Sequence, residues 1–199
     1  MLKHGNLGIV IAGSAIVGTL VVLELSFGFA QTQSDTTHAT DDAKVVADFG
    51  SRVAKYVELA KKAGGSPKPT KDPAQLAEER RQFADKVQSA RADSKQGDVF
   101  TPGIAAYFKR QIAATFAGPN GRKIRVSLKH AEPIQGLHLK INGAYPQAVP
   151  RQSTPPTLLL NLPRLPKELE YRIVGRDLAL HDIATNLIVD FIPNAIPNS

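Results

Sequence analysis

The chain has 199 residues, 42% of them hydrophobic and 22% charged, with no Trp and no Cys. That length and composition suit one globular domain able to bury a core without covalent staples, and the lack of cysteine excludes disulfides, thiolate-bound zinc, thiol catalysis, haem attachment through cysteine and lipidation at a lipobox. The net charge of +7 comprises 14 basic against 9 acidic residues over 42–117, 10 against 6 over 118–199 and one against three over 1–41, which reads as a diffuse positive field that favours anionic partners or simply maintains solubility.

At the N-terminus, Lys3 and His4 precede an uncharged run over 7–23, Glu24 interrupts it, and Gly28 and Ala30 supply small residues at the −3 and −1 positions of a cleavage site. This is the pattern of a signal peptide over 1–30, cut after Ala30. No twin-arginine pair is present, so the Sec route is expected. The alternative is an uncleaved membrane anchor. It needs about 20 apolar residues and therefore burial of Glu24, which is costly. The expected address is periplasmic or secreted, with contact to a membrane only through an uncleaved signal.

Residues 31–41 are polar and aperiodic and predict a flexible lead-in. From Asp42, Val46, Phe49, Val53, Tyr56 and Ala60 recur at spacings of three and four, which predicts a helix ended by Gly64-Gly65. A proline-punctuated linker over 66–73 follows. Asp72 and Pro73 then open a second helix to about Ala92, with Leu76, Phe83, Val87 and Ala90 on its apolar stripe. Thr101 and Pro102 open a third, with Ile104, Phe108, Ile112 and Phe116 inward, stopped by residues 118–121.

Beyond residue 121 the apolar period shortens to two. Ile124, Val126 and Leu128 alternate with Arg125 and Ser127, and Leu137, Leu139 and Ile141 alternate with His138 and Lys140, predicting strands with a turn at Asn142-Gly143. A further strand is expected over 157–162, and a meander over 169–174, 178–183 and 187–192, with turns at 175–177 and 184–186. Helices and strands segregate along the chain, the α+β signature. The expected architecture is a signal helix, then about three helices packed on a C-terminal, mostly antiparallel sheet of five to six strands. These form one domain over 42–192, with a helical half at 42–117 and a strand half at 122–192.

Within the meander, Tyr171-Arg172-Ile173-Val174-Gly175, Asp177-Leu178, Thr185 and Ile188-Val189 form a pattern over 169–192 that resembles the C-terminal hairpin of small bacterial periplasmic proteins of the RcnB type, linked to nickel and cobalt homeostasis. The resemblance implies a periplasmic address. This chain has only Tyr171 where such proteins carry more aromatics.

Candidate chemistry is sparse. His138, His181 and Asp182 would hold a divalent metal if the strands brought them together, although no HxH or HExxH spacing requires it. A hydrolytic set can be drawn from Ser127 or Ser153 with His181 and Asp182, without a Gly-x-Ser-x-Gly elbow to support it. Glu132, Glu168, Glu170, Asp177, Asp182 and Asp190 are available as paired carboxylates, but most alternate with apolar residues and read as outward strand positions. The most suggestive cluster is basic: Arg122, Lys123, Arg125 and Lys129. Lys123, Arg125 and Lys129 share one strand parity and, with Lys68 and Lys71, would hold an anionic polymer; alternatively they protect a sheet edge from aggregation. No cofactor is implied. The expected function is a non-catalytic envelope or secreted module that binds an anionic envelope component or another envelope protein, with nucleic acid not expected. A small periplasmic metal-handling protein and an unrecognised hydrolase are the alternatives.

Overall fold

The computed structural model describes residues 25–65, 67, 70–129, 138–145 and 154–198. Residues 1–24 of the expected signal peptide lie outside them, as do His130, Glu132, Leu137 and Ser153. Two compact units are present, residues 1–39 and residues 40–199. The first is described only from Leu25, as helix. No described helix is long and apolar enough to cross a membrane.

Helix α1, Leu25–Gly64, runs through residues 31–41, where the polar composition predicted a flexible lead-in. From residue 40 its buried stripe is Phe49, Val53, Tyr56, Val57 and Ala60, the three-and-four spacing that lays one face of a helix on a core. Gly65, at φ 73, ends it by taking the left-handed conformation that suits glycine. Helix α2, Pro73–Ala90, starts where the sequence predicts. The Asp72 carboxylate accepts hydrogen bonds from the amides of Ala74 and Gln75 at 2.8 and 3.4 Å, and Pro73 occupies the first turn. Phe83 and Val87 are its buried residues. Helix α3, Pro102–Ala117, buries Ile104, Phe108, Ile112 and Phe116, with Thr101 Oγ1 accepting from the amide of Ile104.

Two expected strands are helices. Residues 121–129 form α4, Gly121–Lys129. Ile124 is buried, Leu128 half-buried and Val126 exposed, so the burial follows a four-residue step rather than alternation. Three apolar residues at spacing two are too few to separate the periods; the close corner between α3 and α4 decides. A Cβ on Gly121 would lie 1.9 Å from the carbonyl oxygen of Phe116, so glycine lets the chain double back there. Residues over 157–162 instead open as the single-turn α5, Pro156–Leu159. Pro155 and Pro156 preset the backbone for a helical start, and three successive leucines carry no period of their own.

Among the described residues the sheet has three strands rather than five or six: β1, Leu169–Val174, β2, Asp177–Asp182, and β3, Leu187–Ile192, antiparallel in the order β1-β2-β3. β1 and β2 join through a two-residue turn, in the register Val174 to Asp177, with Gly175 at φ 60. Residues 138–141 are not a strand. The turn at Asn142-Gly143 is present, with Asn142 at φ 59, and the segment after it lies along β3. There the amide of Asn142 donates to Ile188, that of Ile188 to Gly143 and that of Tyr145 to Asn186.

One face of the sheet carries Leu169, Tyr171, Ile173, Leu178, Leu180, Leu187, Val189 and Ile192 into the same core as the helical stripes. Rings of Phe49, Phe100 and Phe108 meet there at 5.0–5.6 Å. The opposite face builds a smaller cluster of Val174, Ala179 and Ile188 with Tyr145. The pairing slips between Leu180 and His181, so Leu180 faces Asp190 while His181 faces Ile188. The extra residue, Val189, makes a β-bulge, which turns two successive side chains to one side of a strand.

Candidate functional site

The bulge controls where Asp190 of the sheet points. Asp182 and Asp190, expected outward, are both buried. Asp182 follows Leu178 and Leu180 by strand parity onto the helix-covered face. Asp190 reaches the same face because the bulge places it beside Val189. Its carboxylate accepts from four backbone amides: Gly97 at 3.1 Å, Val99 and Phe100 at 2.8 Å each, and Phe191 at 2.8 Å. It thereby fixes the loop between α2 and α3 to β3. The Val189 carbonyl, released by the same irregularity, accepts from Arg91 at 2.9 Å.

Arg91 is itself buried at the end of α2. It also donates to Asn142 Oδ1 at 2.6 Å and lies over the ring of Tyr56 at 4.9 Å. Burial lowers its pKa, offset by the surrounding tyrosine and aspartates. The Tyr56 hydroxyl donates to Asp182 Oδ2 at 2.5 Å. Burial first, then the adjacent carboxylate, pushes its pKa well above that of an ordinary phenol. Asp182 Oδ1 accepts from the amides of Ala184 and Thr185, which shapes the turn after β2. These buried polar groups use their hydrogen-bonding capacity on one another and on backbone. They act as ties between helices and sheet, because a buried charge is tolerated only when so satisfied.

The expected metal ligands do not converge. His181 and Asp182 are consecutive in β2 and project to opposite faces. The His181 nitrogens lie 2.9 Å from Glu170 Oε1 and 3.1 Å from Asn186 Oδ1, and its ring packs on Tyr145. His138 is exposed. Among the described residues no group of three or more histidines and acids can hold a metal ion. Among the described residues the serine hydrolase set does not assemble: Ser127 is exposed on α4, and His181 and Asp182 project in opposed directions from β2. A cavity of about 460 Å³ runs between α1 and residues 164–168. Its floor is Phe49, Val53 and Val57, and Glu58 at its rim pairs with Lys61 at 3.5 Å; no buried carboxylate or histidine enters it.

The basic cluster has a different geometry from the one expected. Because α4 is a helix, its cations do not share a strand face and do not guard a sheet edge. Ile124 turns inward, Arg122 and Lys123 are exposed, and half-buried Arg125 lies over the Phe116 ring at 5.5 Å. Lys129 closes the helix, and Lys68 lies outside the described residues. Elsewhere some cations are neutralised, Lys44 by Asp41, Arg52 by Asp48, Arg81 by Glu78 and Arg110 by Asp42. Among the described residues no carboxylate pairs with Arg122, Lys123 or Arg125.

The charge is also less diffuse than its division into halves suggests. Residues 99–167 contain ten Lys and Arg and a single acid, Glu132, whereas the rest of the chain contains 15 basic and 17 acidic residues. Counting across the middle of the chain, rather than on either side of residue 117, reveals this from sequence alone. Comparison with known proteins adds no relative to this arrangement: no protein-family model, curated protein or solved structure matches the chain.

Proposed function

We propose that the protein is an extracytoplasmic, non-catalytic binding module that engages an anionic partner through the exposed face of α4. The carrying observation is the set Arg122, Lys123 and Arg125 without carboxylate partners among the described residues, inside a stretch of ten basic residues and one acid. Cations left unpaired on a surface raise the local concentration of anions. The address is supported by the signal pattern over 1–30 and by the hairpin resemblance over 169–192. A non-catalytic role is supported by the buried acids being committed to structural hydrogen bonds.

The test is elution from a phosphate-bearing cation exchanger as salt is raised. The variant R122Q/K123Q/R125Q should elute at clearly lower salt than a control, K44Q/K61Q/R81Q. The control removes the same formal charge from cations already paired with Asp41, Glu58 and Glu78. Equal elution of the two variants would mean that net charge alone matters and that α4 is no site.

A further inference from the structure

The same surface carries apolar side chains that a purely ionic partner would not use. Among the described residues four large hydrophobic side chains remain exposed: Val126 at 48%, Leu159 at 38%, Leu160 at 82% and Ile183 at 48%. Single exposed apolar residues are common and need no explanation. Three of these four, however, belong to α4 and to the end of α5. Both elements pack on α3, and Asn161 donates to Thr115 Oγ1 at 2.8 Å, holding the turn against the C-terminal end of that helix. A cavity of about 300 Å³ there is lined by Thr115, Gly118, Asn120, Thr157 and Asn161. Asn120 directly precedes α4 and Asn161 directly follows Leu160, so the basic helix and the leucine turn flank one cavity.

We propose that α4 and this turn dock on an anionic lipid bilayer. Arg122, Lys123 and Arg125 lie against the headgroup phosphates, and Leu159, Leu160 and Val126 enter the apolar region beneath. The inference rests on the anion-binding reading and names its partner. Charge complementarity selects an anionic surface: the helix carries only cations, and the nearest acid in sequence is Glu132. The leucines select lipid over a soluble polyanion. Apolar side chains beside basic ones are the composition of an interfacial helix, in which buried apolar area adds to electrostatic attraction. Against a sugar-phosphate polymer, Leu160 would stay in water and contribute nothing.

The chain has no tryptophan, so Leu160→Trp introduces a fluorophore that reports this position alone, at a site exposed enough to leave the core undisturbed. The full-length L160W protein is titrated with vesicles of phosphatidylglycerol and phosphatidylcholine, with vesicles of phosphatidylcholine alone, and with soluble polyphosphate. The N-terminal apolar run is common to all variants, so the comparison with the triple α4 variant isolates the contribution of α4. The emission should shift to the blue with the anionic vesicles only, and the shift should fade as salt rises. Adding R122Q/K123Q/R125Q should weaken the partition on the order of 100-fold, from the usual contribution of each basic residue near an anionic surface. An equal shift with neutral vesicles, or one unaffected by the triple substitution, overturns the proposal. So does binding of polyphosphate with no shift on vesicles, which would leave the broader anion-binding reading intact. Binding to neither probe would reject both.

Discussion

Asp190→Ala tests the claim that the bulge in β3 exists to deliver a structural carboxylate. The substitution removes the acceptor for the amides of Gly97, Val99, Phe100 and Phe191. Gly97 and Phe191 are half-buried and can be rehydrated, but Val99 and Phe100 are buried. A buried donor left unsatisfied costs roughly 1–3 kcal/mol, so two cost about 4 kcal/mol, a large share of the 5–15 kcal/mol typical of a domain. Arg91 also loses a nearby counter-charge. In urea, with a slope of about 2 kcal/mol per molar, the unfolding midpoint should fall by about 2 M with the slope unchanged. Asp190→Asn separates shape from charge. One amide oxygen can still serve Val99 and Phe100, but its NH₂ then faces the other two donors, so the loss should be intermediate. A midpoint lowered by less than about 0.5 M in the alanine variant, corresponding to less than about 1 kcal/mol, would refute the reasoning.

Two other outcomes are expected. Burial raises the pKa values of Tyr56, which also faces Asp182, and of Tyr171. Both therefore keep their protons in the fold when unfolded tyrosines, with pKa near 10, lose theirs. This contribution to stability is complete below about pH 10 and declines above it, by about 1.4 kcal/mol per pH unit for each tyrosine. Urea midpoints measured across that range should show a fall that Tyr56→Phe roughly halves, and an unchanged slope in that variant would count against the burial argument. Separately, N-terminal sequencing of the protein expressed in a Sec-competent bacterium should give a chain beginning at Gln31. An intact initiator end in the cytosolic fraction would remove the extracytoplasmic part of the proposal.

The reassignment of residues 121–129 matters for function as much as for fold. On a strand, Lys123, Arg125 and Lys129 would point one way and the leucines of the 157–162 segment would be committed to neighbouring strands. On a helix, Arg122 and Lys123 stay exposed, Arg125 is held over Phe116, and the turn at Leu160 is left in solvent. The basic cluster therefore lies on a surface that pairs charge with apolar area, instead of along a protected sheet edge.

Local chemistry alone determined much of this protein. The caps at Asp72 and Thr101, the stops after Gly64 and Ala117, the helical stripes through Phe49, Phe83 and Phe108, and the three strands of the meander all follow from spacing and turn residues, because those signals act within a few residues. Tertiary contacts decided the remainder. Gly121 can approach the Phe116 carbonyl only because α3 and α4 fold against each other, and that closeness makes helical a segment whose apolar residues alternate. Parity alone would turn Asp190 outward. The slipped register between β2 and β3 turns it inward, since which residue faces which across two strands depends on both strands and on the loop whose amides await the carboxylate.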